Sequence, residues 1–347
     1  MMATRVGSMK AAVLEKFHQP LVVRDVPLPK PGPGEVTVEV KACGLCLTDI
    51  HIMEGRVPTV QLPLVPGHEF AGVVGERGPG VTSCEVGDRV AVAVDINCGH
   101  CDFCLRAETN RCPNLVRIGF ERNGGMAQAV NVPAANVERL APGVPIEKAA
   151  IIADAVASIY RGLATVGGVR AGMRVAILGV GGLGIQGVKI ARMLGAEVTC
   201  TDLNDAKLER ARAFGAAHTV NPARESIADM AKVVGGFDVV VDNVGVKATL
   251  REAIAACRNG GTVVAMGYVE PALEIPSYDV VIREKRVVGS RGVSRSEFRE
   301  VVRLVNSGQI DPDVGERVPI ANVNEAFENL RAGRYPTRTV LTLPFDG

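Results

Sequence analysis

Arg174-Val-Ala-Ile-Leu178 runs without a break into Gly179-Val-Gly181-Gly182-Leu183-Gly184, and the stretch that follows, to near residue 194, suits a helix. A strand that turns on glycines into a helix is the opening of a dinucleotide-binding βαβ unit. The first glycine permits the tight turn, the second lets backbone approach a pyrophosphate, and the third lets helix pack closely on strand. The helix N-terminus then faces the phosphates with its unpaired N–H groups. A glycine turn alone often does no more than join two elements, so the next strand matters. After Glu197 to Thr201 an acid, Asp202, stands 18 positions beyond Gly184. A carboxylate there accepts a hydrogen bond from a ribose 2′-hydroxyl and repels a 2′-phosphate, which predicts NAD over NADP. Taken in isolation Asp202 is also readable as a solvated acid at a strand end. Lys207, on the following helix, is either an edge of the adenosine pocket or a surface lysine.

Working outward, apolar strands alternate with helical stretches from about 154 to 290: Val198-Thr-Cys200, a helix from Asp205, Val239-Val-Val241, another helix, and Val263-Val264-Ala265. That alternation predicts an α/β fold with a Rossmann, doubly wound parallel sheet. From Met9 to about residue 150 the pattern differs. Short alternating runs such as Val36-Thr37-Val38-Glu39-Val40 and Val90-Ala91-Val92-Ala93-Val94 are separated by turns like Pro31-Gly32-Pro33-Gly34. This reads as a β-rich, barrel-like domain. An amphipathic helix over 296–305 and a closing strand over 339–343 return the chain to it. The predicted domains are 1–153, carrying a lobe at 95–113, then 154–291, then 292–347 rejoining the first. Residues 1–8 read as a leader ahead of the strand that begins Met9-Lys10-Ala11-Ala12-Val13-Leu14.

With 39 basic and 38 acidic side chains in 347 residues the net charge is +1, and no basic run recommends a nucleic acid or anionic membrane. No apolar stretch reaches the ~20 residues of a membrane span. A small-molecule partner and a cytoplasmic location are the expectation. Nine cysteines in a reducing compartment favour metal over disulfides where they cluster.

Two clusters stand out. Cys98-x2-Cys101-x2-Cys104-x7-Cys112 offers four thiolates from one short loop, enough to close a tetrahedral zinc with no open position, which argues for a structural metal. His100 breaks the spacing and reads as exposed. Earlier, Cys46-Leu47-Thr48-Asp49-Ile50-His51 and Gly67-His68-Glu69 bring thiolate, imidazole and carboxylate together within a β-rich segment without closing a set of four. An open set suits a catalytic zinc with an exchangeable position. A buried thiol and a satisfied core histidine are the plainer reading of Cys46 and His68.

Order and spacing of Gly44-Leu-Cys46-Leu-Thr48-Asp49-Ile-His51, Gly67-His68-Glu69, Gly87-Asp88-Arg89-Val90, the four-cysteine lobe and the glycine turn resemble the zinc-containing medium-chain alcohol dehydrogenases along essentially the whole chain. The resemblance implies a GroES-like catalytic domain beside the Rossmann domain, two Zn2+ per chain, NAD, and a homodimer or homotetramer acting on an alcohol or carbonyl compound. It implies that Cys46 and His68 hold the catalytic zinc. A third ligand lies just before the coenzyme domain in this family, a cysteine or in some branches an acid, and Asp154 is the matching residue; a helix N-cap is its other reading. Cys98, Cys101, Cys104 and Cys112 are the implied structural site. Glu69 resembles a glutamate behind the zinc, Asp49 an acid that orients His68, Thr48 the hydroxyl that takes the alcohol proton, and His51 the end of a proton relay. Arg338 resembles an arginine that contacts the coenzyme pyrophosphate. Leu47 departs from the arginine or histidine often found beside that phosphate, and Asp154 brings the site closer to secondary-alcohol and polyol branches. A secondary or cyclic alcohol is the expected substrate, with a polyol or amino alcohol as rival. Leu47, Phe120, Met126 and Ser158 are candidate walls of an apolar pocket. A catalytically silent NAD-binding protein would keep the glycine turn but has no need of an open metal site.

Overall fold

In the computed structural model, the residues described are 7–269, 272 and 274–343, so most of the leader lies outside them. The chain divides into two compact units, one made of residues up to Asp154 and from Ser294 on, the other of Ala155–Val293.

The second unit is built on one six-stranded sheet, and every strand pair in it is parallel. In spatial order the strands are His218–Val220, Glu197–Thr201, Arg174–Leu178, Phe237–Asp242, Cys257–Ala265 and Arg286–Gly289. Numbered along the chain this is 3-2-1-4-5-6, the doubly wound order, whose direction of winding reverses between the Arg174–Leu178 and Phe237–Asp242 strands. Ligands bind such sheets beyond the carboxyl ends of the strands at that reversal. The glycine turn occupies that position. Strands buried on both faces read as runs of Val and Ile, and Val175, Ile177, Val239, Val240, Val241, Val263 and Val264 are all buried.

The first unit rests on a seven-stranded sheet in the order Arg317–Pro319, Val340–Thr342, Glu35–Gly44, Phe70–Arg77, Arg89–Val92, Val137–Arg139, with Ala129–Pro133 also paired to the long Glu35–Gly44 strand. Val36, Val38 and Val40 are buried and Glu39 and Lys41 exposed along that strand, the alternation expected of a half-buried strand. The expected amphipathic helix is Arg295–Asn306 and the closing strand Val340–Thr342. One local expectation is corrected. Cys46 to His51, read as part of a β-rich segment, enters a helix, Leu47–Met53, because Cys46 N donates to Asp49 Oδ2 at 3.1 Å and Ile50, Ile52 and Met53 supply a buried face. Among the described residues no single helix is long and apolar enough to cross a membrane.

Candidate active site

Sheet register assembles the Cys46 site. The Glu35–Gly44 strand pairs antiparallel with Phe70–Arg77 so that Cys43 faces Phe70, and Gly44 N donates to Glu69 O at 2.6 Å. The residue after one strand end, Cys46, therefore lies beside the residues before the other, His68 and Glu69. On its other edge the long strand pairs with Val340–Thr342, Val340 opposite Gly44, and Leu45 N donates to Thr339 O at 2.9 Å, which draws in Arg338. Asp154 arrives at the end of the short 3-10 turn Ile151–Ala153. Gly44 makes room: a Cβ there would stand 2.6 Å from Glu69 Oε2.

The result is a buried cluster in which ligand atoms of Cys46, His68, Glu69 and Asp154 all lie within 4.8 Å of one another. Cys46 Sγ is 3.7 Å from Asp154 Oδ2, and His68 Nε2 is 3.8 Å from that oxygen and 3.9 Å from Glu69 Oε1. Ligands placed ~2.0–2.3 Å from a tetrahedral zinc sit roughly 3.3–3.6 Å apart, so these edges are within a few tenths of an ångström of that geometry. The other imidazole nitrogen, His68 Nδ1, meets Asp49 Oδ1 at 3.1 Å, the arrangement that turns Nε2 toward a metal.

The donor set also suits a cation. Cys46, Glu69 and Asp154 share the cluster with one guanidinium, Arg338, whose Nη2 lies 2.9 Å from Glu69 Oε1 and 3.4 Å from Asp154 Oδ2, and with His68, whose pKa, against the effect of burial, Asp49 and Asp154 hold well above the usual imidazole value. Glu69 Oε2 is buried without a hydrogen-bond partner, and Oε1 has its ion-pair contact with Arg338. Burial pushes the Glu69 pKa well up, and Arg338 only partly opposes this. Burial works against the Cys46 thiolate too, yet Arg338 and His68 bring its pKa below the usual thiol value. A divalent cation answers the orphaned Glu69 oxygen and the thiol and acids gathered around it. The residues present fit zinc.

The Arg338 guanidinium is buried, with Nη1 donating to Leu45 O at 3.1 Å and Nη2 directed at the two carboxylates, so it stands among the residues that surround the metal cluster. Arg338 lies two residues before the strand that pairs beside Cys46, and register is needed to read that placement. Thr48 and His51 lie three apart on the Leu47–Met53 helix, hence on one face, both partly exposed. Burial and the nearby Arg56 lower the His51 pKa below 6.5. Leu47 is exposed.

In the lobe the four sulfurs also lie within 4.8 Å, with Cys98 Sγ 3.9 Å from Cys104 Sγ and 3.6 Å from Cys112 Sγ. Sulfurs around a tetrahedral zinc stand roughly 3.8 Å apart. None of the four is in a disulfide. A hydrogen bond from the His100 backbone holds the Cys98 pKa down at about 6, whereas Cys101, despite one from the Cys104 backbone, is pushed up to about 11 by burial and neighbouring sulfurs. Four thiolates coexist only around a cation, so this set fits zinc as well. His100 is exposed, Nδ1 against Cys98 O at 2.9 Å.

In the glycine turn, Gly179 has φ +81°, and a Cβ on Gly184 would stand 2.0 Å from Gly179 O, so both positions require glycine. Gly181 faces open space, Gly182 is partly exposed, and Leu183 caps the helix Gly184–Met193. Asp202 is held at both oxygens: Val180 N donates to Oδ2 at 3.1 Å and Asn204 N to Oδ1 at 3.0 Å. Its carboxylate is thus fixed against the turn. Lys207 lies half-buried in the first turn of the helix Asp205–Ala213. Asn243 was not anticipated; its Nδ2 donates to Gly179 O at 3.2 Å and steadies the turn from the neighbouring strand end.

Comparison with known proteins agrees with this geometry. A family model described as alcohol dehydrogenase GroES-like domain matches residues 32–142, and one described as zinc-binding dehydrogenase matches 182–307. An alcohol dehydrogenase of Geobacillus stearothermophilus is 38% identical, covering 96% of this chain and 99% of its own. An L-threonine 3-dehydrogenase of Rhizobium etli (strain CIAT 652) is 32% identical over 94% of this chain and 96% of its own. The solved structure of acetophenone reductase from Geotrichum candidum in complex with NAD superposes with a TM-score of 0.88 at 32% identity, covering 98% of each chain. With both domain models matched in order and relatives aligned over nearly their full length, this chain belongs to the zinc-containing medium-chain alcohol dehydrogenase family.

Proposed function

We propose that this protein is a zinc- and NAD-dependent alcohol dehydrogenase that moves hydride between an alcohol and the nicotinamide ring, giving a ketone or aldehyde. The observation that carries the reading is the convergence of ligand atoms of Cys46, His68, Glu69 and Asp154 within 4.8 Å of one another, with Glu69 Oε2 left without a partner. Cys46, His68 and Asp154 would hold the zinc, and bound there the metal supplies Lewis acidity that lets an alcohol hydroxyl ionise near neutral pH. Thr48 accepts the alcohol proton and His51, on the same helix face, passes it toward solvent. The hydride leaves the carbon that bears the hydroxyl for nicotinamide C4, so alcohol and NAD+ give carbonyl compound, NADH and the one proton carried by the relay. Asp49 orients His68, Arg338 balances the carboxylates, and Glu69 lies within reach of the cation. Gly179, Gly181, Gly182, Leu183 and Gly184 receive the pyrophosphate of NAD, while Asp202 accepts from the ribose and Lys207 edges the adenosine.

A secondary or cyclic alcohol is the preferred substrate, supported by the apolar Phe120 ring 5.2 Å from His68 and by the similarity to an acetophenone reductase. An amino alcohol is the second reading, favoured by the L-threonine 3-dehydrogenase relative. Nine unpaired thiols suit a reducing cytoplasm. Exposed Tyr278, Val281 and Ile282, just ahead of the outermost strand in sequence, support assembly into a homodimer or homotetramer.

The test is zinc content per chain together with NAD-linked oxidation of primary, secondary, cyclic, polyhydroxy and amino alcohols, for wild type and Asp154→Ala. Two zincs in the wild type, one in the variant, and turnover lost with it is the expected result. A single zinc in the wild type with no alcohol oxidised would overturn the proposal.

A further inference from the structure

Residues 116–126 lie against the ligand-bearing segment with almost no room between backbones. A Cβ on Gly119 would stand 2.9 Å from His68 N and one on Gly124 2.1 Å from Gly67 O, and Gly125 N donates to Gly67 O at 2.7 Å. From this segment the Phe120 ring, itself buried, reaches the His68 imidazole, the centroids 5.2 Å apart and the planes inclined by 52°. The Arg117 guanidinium lies over the Phe120 ring, 4.1 Å from its centroid. Arg117 is itself fixed: Nε donates to Glu121 Oε2 at 3.1 Å, and Nη2 donates to Glu121 Oε1 at 2.5 Å and to Thr59 Oγ1 at 3.0 Å. Thr59 Oγ1 in turn donates to Glu121 Oε1 at 2.5 Å. The chain of contacts Thr59, Glu121, Arg117, Phe120 ends on His68.

We propose that Phe120, clamped by Arg117, is a positioning residue for His68, setting the tilt of the imidazole that Asp49 alone leaves free. The proposal rests on the reading of Cys46, His68 and Asp154 as a metal site. A hydrogen bond at Nδ1 fixes which nitrogen faces the metal and the ring's distance from Asp49, but a ring held by its Cβ–Cγ bond and one hydrogen bond still rocks within the range of angles that bond accepts. A tilted aromatic neighbour removes the pivot, since edge-to-face and offset arrangements have preferred angles. A cation over that neighbour then holds the neighbour in place. Phe120 acts here through His68, so this effect belongs to metal geometry before it belongs to turnover.

The test uses the full chain loaded with zinc or with cobalt(II), whose visible spectrum reports the ligand geometry, and four forms: wild type, Phe120→Leu, Arg117→Met and Arg117→Lys. Chelator competition reads the metal dissociation constant at the Cys46 site, with the lobe metal as internal standard. Phe120→Leu is expected to raise that constant about tenfold and to shift the cobalt bands. Arg117→Met is expected to raise it about two- to fivefold, with Arg117→Lys restoring much of the loss. The lobe metal should be held as in the wild type throughout. A wild-type competition curve and cobalt spectrum for Phe120→Leu overturns the proposal, as does parallel weakening of both metals, which marks a general loss of packing. A wild type that binds only the lobe metal overturns instead the metal-site reading beneath it, and the proposal with it.

Discussion

The four-cysteine lobe takes all its ligand atoms from residues 98–112, whereas the Cys46 cluster takes its own from 46, 68–69 and 154 and sets Arg338 beside them. The lobe's loop is too short to bury much apolar surface, so a metal cross-link is what orders it, and its ligands need only local backbone freedom to meet. The Cys46 cluster has Cys46, His68, Glu69 and Arg338 placed by three strands of one sheet in register, so its order is expected to depend less on the metal. That difference predicts opposite consequences of losing each metal: folding suffers in one case, chemistry in the other.

The largest expected effect is in the cluster. Cys46→Ser should lower turnover by about 10³-fold or more while lobe zinc and thermal stability stay near wild type, since several kcal/mol of charge stabilisation in the transition state leaves with the metal. Zinc analysis, kcat and Tm measured on one preparation check this; a large fall in Tm would mean that the cluster, too, is ordered by its metal. Cys104→Ser is the converse. It should lose the lobe zinc and lower Tm by roughly 5 to 10 °C, with the remaining folded protein still active. If calorimetry shows an unchanged Tm, the lobe is ordered without metal and the contrast collapses.

The glycine turn belongs with the lobe as a site confined to a short stretch, residues 179–202. Asp202→Ala should narrow the preference for NAD over NADP by about tenfold in kcat/KM, because the carboxylate that accepts from the 2′-hydroxyl and repels a 2′-phosphate is gone. An unchanged ratio would make Asp202 a brace for Val180 and no more. The smallest effect concerns His51. Relay of a proton away from the alcohol needs neutral imidazole, and the His51 pKa lies below 6.5, so alcohol oxidation should decline as pH falls below that value. His51→Gln should lose that acidic limb with only a several-fold drop at its optimum; identical pH profiles would remove His51 from the relay.

Strand Arg174–Leu178 was legible with its bounds because a run of buried apolar residues ends on glycine, and both signals are local. The lobe was legible because metal spacing is a property of one loop. Cys46, His68 and Asp154 needed the family resemblance, since nothing in three separated segments states that they meet. The Leu47–Met53 helix was hidden by its brevity and by the strands on either side. Arg338 and Phe120 show a second kind of blindness. Arginine before a strand is compatible with a phosphate or with buried acids, and a phenylalanine after a glycine with a pocket wall or with a brace for a ligand.

By itself the sequence determined the two kinds of domain, the glycine turn, the four-thiolate lobe and the residue types of the open metal site, because each follows from period, spacing or side-chain chemistry along a continuous stretch. Only the tertiary structure decided which oxygen faces which nitrogen: that Arg338 neutralises Glu69 and Asp154, and that Phe120 leans on His68. Those contacts depend on antiparallel register and on glycines that let backbones approach, and a slip of one residue between the paired strands would move Arg338 and Glu69 out of reach of each other.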